Sequence, residues 1–120
     1  VRRERYLKHN SQFNLVYDGG KSWAAKEIVL KALRNNLKLS RFGFVASHRV
    51  GKAVIRNRIK RRLREISRPI NIKPGWDIIL IARIPAAESD YKSLEKSVRK
   101  LLVRADLMVG ENEGSSLMAN

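Results

Sequence analysis

The stretch Arg56-Asn57-Arg58-Ile59-Lys60-Arg61-Arg62-Leu63-Arg64 carries the densest chemistry in the chain. Eight Lys or Arg fall among the sixteen residues from Arg49 to Arg64, and no acid occurs from Ile28 to Arg64. Concentrated positive charge without counter-charge repels itself, so an anionic partner is expected to supply the missing charge. Guanidinium suits that task better than ammonium, because its planar fork bonds phosphate bidentately and stacks on bases. The bland alternative is a solvated helix surface. The bias toward Arg opposes it, as does the scarcity of i,i+4 acid partners, of which Arg61 and Glu65 are the one pair. A membrane-surface helix would carry Trp or Phe at its edge, and this one has neither.

Other chemistry is sparse. His9 and His48 have no ligand-like neighbours at metal spacing. No phosphate-loop motif or Gly-x-Ser-x-Gly is present. Glu88 and Asp90 sit two apart where a helix begins, where anions favour the helix dipole. Phe13 and Tyr17 are either the core face of a short helix or a stacking platform for single-stranded nucleotides.

These groups need a scaffold. Ile55, Ile59, Leu63 and Ile66 recur at helical spacing and fall within about 80° of arc. On that wheel Asn57, Arg58, Lys60, Arg61 and Arg64 lie opposite the stripe, flanked by Arg56 and Arg62. The helix can dock by its apolar edge and present its cations outward. It is expected over Lys52 to Ser67, after Gly51 and before Arg68-Pro69.

Around it, residues 1–9 read as an extended basic arm. Asn10 or Ser11 caps a short helix over Gln12 to Tyr17, stopped by Gly19-Gly20. Trp23 to Leu37 reads largely as one strand, although Ala24-Ala25-Lys26-Glu27 is also compatible with helix. Arg41 to Ser47 is the next strand. Trp76 to Ala82 is the strongest strand and is expected to be central, buried on both faces. Ser89 or Asp90 caps a last helix to about Arg104, with Leu94, Val98, Leu101 and Leu102 as its stripe. Residues 1–109 read as a single RNA-binding domain and 110–120 as a disordered tail. The order α-β-β-α-β-α indicates an α+β fold, with helices packed on a small sheet.

At 120 residues there is material for one modest core. The net charge is +15, and residues 1–64 carry all of it: 18 Lys or Arg against three acids, with eight of each sign in the remainder. The first half is the polyanion-facing part, the second mostly scaffold. There is no cysteine, which excludes disulfides and thiolate metal sites. No apolar run approaches the ~20 residues of a membrane helix. No hydrophobic segment follows Val1-Arg2-Arg3-Glu4-Arg5, which argues against a secretory signal.

The run from Phe44 to Glu65, FVASHRVGKAVIRNRIKRRLRE, resembles the signature of the bacterial ribonuclease P protein subunit. A strand ending in small and basic residues there leads through Val50-Gly51-Lys52-Ala53-Val54 into the Arg56-Asn57-Arg58 helix. Phe13 and Tyr17 before Gly20, and Trp76 to Arg83 before Pro85, are also similar to that family, so the likeness covers roughly residues 5–107.

The resemblance implies a compact α/β sandwich with a small mixed sheet and a rare left-handed βαβ crossover, a hand opposite to the usual one. It implies a non-catalytic protein subunit of a ribonucleoprotein endoribonuclease. In that assembly the RNA subunit uses Mg2+ to hydrolyse the phosphodiester at the 5′ end of mature tRNA. By position, Arg56, Asn57, Arg58, Lys60, Arg61 and Arg64 would face the RNA subunit. Phe13, Tyr17, Ser47, His48 and Arg49 would line a cleft for the 5′ leader of precursor tRNA. His48 stands where the family often has Lys, and Lys31 where some relatives have an aromatic. The implied setting is cytoplasmic, without membrane or evident protein partner. The alternatives are a structural or ribosomal RNA-binding protein, a protein-only nuclease and a DNA-binding regulator, although no dimer seam is obvious.

Overall fold

The computed structural model describes residues 5–110. The start of the expected basic arm (1–4) and nearly all of the expected tail (111–120) lie outside the described residues. Element order is α1 (Asn10–Gly19), β1 (Lys21–Ala24), β2 (Ile28–Arg34), β3 (Arg41–Val45), α2 (Ala53–Ser67), β4 (Trp76–Ala82) and α3 (Tyr91–Arg104). Short 3-10 turns cover His48–Val50 and Ile84–Glu88.

The four strands form one mixed sheet in the order β1-β2-β4-β3. β4 is central, antiparallel to β2 and parallel to β3, so α2 is the crossover of a β3-α2-β4 unit. Its Ile78, Ile79 and Leu80 are fully buried, which bears out a strand covered on both faces. The fold is the expected α+β arrangement with one strand more than the expected order.

That extra strand corrects the reading of Trp23 to Leu37 as one continuous strand. The chain turns back at Ala25–Glu27, and Lys21–Ala24 pairs antiparallel with Val29–Ala32. No Gly, Pro or Asn marks the reversal; tertiary contacts hold it instead. Ala25 N donates to Ile28 O at 2.8 Å, Arg83 N donates to Glu27 O at 2.8 Å, and Ser97 Oγ of α3 donates to the Glu27 carboxylate at 2.5 Å.

α1 also starts earlier than expected. It opens at Asn10 with His9 in the capping position. The reason is Gln12, whose Oε1 accepts the backbone N–H groups of Lys8 (2.7 Å) and His9 (3.0 Å), satisfying donors that an Asn10 or Ser11 cap would leave free. The helix ends at Gly20, where a Cβ would stand 2.6 Å from Val16 O and 2.8 Å from Ala32 O. Only glycine lets the chain pass that close to β2.

The sheet separates two packing layers. On one face Ile28, Leu30, Phe42, Ile78 and Leu80 meet Ile59, Leu63 and Ile66 of α2 and Leu94, Val98, Leu101 and Leu102 of α3. Both helical stripes read from sequence are therefore core. On the other face a smaller cluster forms around Ile79, with Leu7 and Val16 buried and Phe13, Leu33, Val45 and Ile81 partly so. At one end of this face Asp77 is buried, held by Arg41 (Nε–Oδ1 2.8 Å, Nη2–Oδ2 2.7 Å) and by Asn35 Nδ2 at 2.8 Å. Its hydrogen-bond set answers the desolvation that burial imposes on a carboxylate.

Candidate nucleic-acid interface

α2 lies against the sheet by the predicted stripe: Ile59, Leu63 and Ile66 are buried and Ile55 is half-buried. Its outer side carries Asn57, Arg61 and Arg64, all exposed. Arg56, Arg58, Lys60 and Arg62 are half-buried flanks. Arg58 and Lys60 thus sit lower on the wheel than the sequence places them. The Nε of Arg58 is shielded from solvent and has no partner among the described residues. The Arg64 guanidinium sits 5.7 Å from the Tyr6 ring centroid and 5.6 Å from that of Phe44, within cation–π range of both. Tyr6 pairs with the edge of β3 at Phe42. Sequence reading missed this pairing, because a lone aromatic in a basic arm has no periodicity to betray it.

Gly51 makes the helix entry possible. It lies at φ 155°, ψ −172°, a region essentially reserved for glycine, and a Cβ there would stand 3.1 Å from Ile55. Immediately before it, Ser47, His48 and Arg49 are exposed at the C-terminal end of β3. Arg56 donates from Nη1 to His48 Nδ1 at 2.5 Å, which requires the imidazole proton on Nε2. This contact joins one residue from each of the two predicted groups.

α1 covers only part of the second sheet face. Phe13 packs over Gly43 of β3, and Gly19 lies against Leu33 of β2. Beyond α1, strand register places Val45, Ile81, Val29 and Ala24 in one row across the sheet. The first three are half-buried and Ala24 is exposed. Lys31, in the adjacent row with Ile79 and Ser22, is half-buried. The result is a sheet face that is apolar apart from Lys31 and Ser22, bordered by Phe13 of α1 and leading at the end of β3 into Ser47–Arg49. Phe13 is half-buried against the smaller cluster, as the core reading of the pair expects, whereas Tyr17 is 38% exposed. Partial burial raises the Tyr17 hydroxyl above its ordinary pKa, keeping it a neutral donor.

Of the five residues predicted for the cleft, Phe13 packs on this sheet face, Ser47, His48 and Arg49 follow β3 at its end, and Tyr17 lies exposed on α1; the six on α2 share a helix that packs on the opposite face. Arg56 and His48 connect them at the β3–α2 junction. Among the described residues no group of three or more His, Cys, Asp or Glu comes together, and no helix is long and apolar enough to cross a membrane.

Comparison with known proteins gives one answer. The ribonuclease P family model matches residues 1–106. The ribonuclease P protein component of Clostridioides difficile is 40% identical over 110 residues, covering 89% of this chain and 96% of that protein. Its counterpart in Dehalococcoides mccartyi is 38% identical over the full length of both chains. The Thermotoga maritima RNase P protein superposes with a TM-score of 0.75 at 33% identity, covering 82% of this chain and 96% of that one. A Staphylococcus aureus RNase P protein mutant with defective mRNA degradation activity superposes with a TM-score of 0.83 at 30% identity, covering 89% and 92%. With likeness in sequence and fold extending over nearly all of its length, this chain belongs to the ribonuclease P protein family.

Proposed function

We propose that the protein is the non-catalytic subunit of a cytoplasmic ribonuclease P, binding the RNA subunit through α2 and the 5′ leader of precursor tRNA through the cleft beside α1. One observation carries the reading: an arginine-rich helix and a sheet face bordered by Phe13 lie on opposite sides of one sheet and meet at the β3–α2 junction.

A leader is single-stranded and varies in sequence. A suitable binder uses stacking and phosphate contacts rather than base-edge readout. Phe13 and Tyr17 offer ring surface, the row Val45–Ile81–Val29 an apolar floor, and Lys31, His48 and Arg49 polar or cationic contacts. On the other side, Asn57 and Arg61 are exposed, Arg64 is exposed while lying over Tyr6 and Phe44, and Arg56, Arg58 and Lys60 reach from the flanks, a set suited to phosphates of a folded RNA. Bond cleavage then belongs to the RNA subunit with its magnesium ions. The protein contributes binding and placement, and its cations lower the repulsion between two polyanions.

The decisive experiment mixes the protein with the cognate RNA subunit and compares precursor tRNA with mature tRNA. The expected outcome is tighter binding of the leader-bearing substrate, increasing with leader length until the cleft is filled. Equal affinity for both would favour a structural or ribosomal RNA-binding role. Cleavage by the RNA-free protein would point to a nuclease instead.

A further inference from the structure

The two surfaces above do not account for all of the unpaired charge. A cleft of about 320 Å3 opens where the N-terminal arm, the β2–β3 loop, the C-terminal end of α2 and the loop entering β4 come together. Its lining includes Arg5, Tyr6, Lys38, Ser40, Arg68 and Asn71, and no Asp or Glu. Among the described residues, Arg5, Lys38 and Arg68 make no ion pair and no side-chain hydrogen bond. Two other cations near this end of the sheet are paired, Arg41 with Asp77 and Lys73 with Asp106. The position of Arg68 at the end of α2 suits the helix dipole. That does not account for Arg5 or Lys38, which come from separate segments.

The cleft continues the arginine face. Arg61, Arg64 and Arg68 follow one another at spacings of three and four, one stripe of the helix surface. Arg64 lies over Tyr6, whose ring also lines the cleft. Pockets for small organic ligands are mostly apolar with a few polar groups. Three unpaired cations from three segments instead match the backbone phosphates of a polyanion already lying along α2.

We propose that this cleft is a further docking point for the RNA seated on α2, receiving the backbone phosphates of its next one or two nucleotides between Arg5, Lys38 and Arg68. The Asn71 side chain, without a hydrogen-bond partner among the described residues, offers a donor and an acceptor to a neighbouring 2′-hydroxyl or base edge. The inference rests on the proposed role of α2 in RNA-subunit binding and extends that interface past the end of the helix.

The test measures binding of the full chain to ribonuclease P RNA across a salt series. Lys38→Ala/Arg68→Ala is expected to reduce the log–log salt slope by roughly 1.4–1.8, as for two lost phosphate contacts, while Lys38→Arg/Arg68→Lys retains it. Lys38→Glu, in a loop, covers the case in which Arg68→Ala frays α2; it is expected to weaken binding with an unchanged melting temperature. The chain has no cysteine, so Asn71→Cys can carry a single hydroxyl-radical source. Strand cuts adjoining the RNA segment protected by α2 support the proposal. Wild-type slopes in the Lys38 and Arg68 variants, alongside a reduced slope in Arg61→Ala, overturn the cleft and leave the role of α2 standing. Failure of the wild-type chain to bind this RNA at physiological salt overturns the role of α2, and the cleft with it.

Discussion

Gly43→Ala tests the proposed leader cleft without substituting any residue assigned to it. Gly43 is buried in β3 opposite Ile79, beneath the Phe13 ring. A Cβ added there would lie 2.5 Å from Phe13 Cε1, 2.8 Å from Cζ and 3.1 Å from Leu7 Cδ1. Favourable carbon–carbon contacts are about 3.5–4.0 Å, so the ring must retreat by about 1 Å or swing away. The clashing atoms are the far end of a half-buried side chain, which can move. The folding cost should therefore be near the lower end of the ~1–3 kcal/mol typical of overpacking.

The functional cost should be larger relative to that stability change. Base–aromatic stacking contributes about 1–3 kcal/mol, or roughly 5- to 150-fold in affinity. A displaced Phe13 forfeits much of it. In the assembled holoenzyme Gly43→Ala should weaken precursor tRNA binding within that range and leave mature tRNA unchanged. RNA-subunit binding should also hold, because α2 packs on the opposite sheet face. The double variant Gly43→Ala/Phe13→Ala should bind precursor no worse than Phe13→Ala, since both changes act through one ring. Strictly additive losses, or an unchanged preference for the leader in Gly43→Ala, would refute the assignment of Phe13.

Three further outcomes follow from the same geometry. Arg61→Ala, at an exposed position on α2, should flatten the salt dependence of RNA-subunit binding by about 0.7–0.9 in log–log slope; an unchanged slope removes Arg61 from the interface. The Asp90 carboxylate accepts Ser93 N–H at 2.8 Å at the start of α3, which holds its pKa below the ordinary value. Its contribution to stability is thus present above the unfolded-state pKa and disappears as pH falls through the lowered folded value. Asp90→Ala should reduce the melting temperature near neutral pH, with the difference closing in acid; a pH-independent difference would contradict this origin. Finally, the holoenzyme should reach half-maximal cleavage at lower magnesium than the RNA alone, and equal requirements in a magnesium titration would count heavily against charge screening by the protein.

Sequence reading succeeded where one local signal dominated. The stripe Ile55–Ile59–Leu63–Ile66 fixed which side of α2 is core, and the run from Trp76 to Ala82 could be stable only as a strand covered on both faces. It failed where distant contacts decide. The reversal at Ala25–Glu27 depends on Ser97 and Arg83, far along the chain, and contains none of the residues that normally mark a turn. The start of α1 depended on Gln12 reaching back to two backbone donors, when Asn10 and Ser11 were better caps by residue type. Arg58 and Lys60 proved half-buried because each adjoins Ile59 in sequence and so stands about 100° from the stripe, at its flank rather than opposite it. Tyr6 was invisible for a related reason: pairing with a strand edge leaves no pattern in six residues of arm.

The β3–α2 junction suggests how the proposed non-catalytic role could still matter to a reaction. β3 borders the open cleft and leads through Ser47–Arg49 directly into α2, so two nucleic-acid strands on these surfaces would be registered against one short segment of backbone. That segment is well constrained. Gly51 occupies a conformation that few other residues tolerate, Ile55 closes over it, and Arg56 is tied to His48. Holding two reactants in a fixed relation substitutes for the entropy of bringing them together, and a misplacement of about 1 Å can cost on the order of a hundredfold in rate. Flexibility here would therefore lower turnover even if each RNA still bound its own surface. Gly51→Ala separates the two effects, because strain falls on the junction while Phe13 and Arg61 keep their places. Loss of cleavage rate with near-normal affinity for RNA subunit and leader separately would show that spacing is what the protein supplies. A parallel fall in both affinities would show instead that the junction only helps each surface to fold.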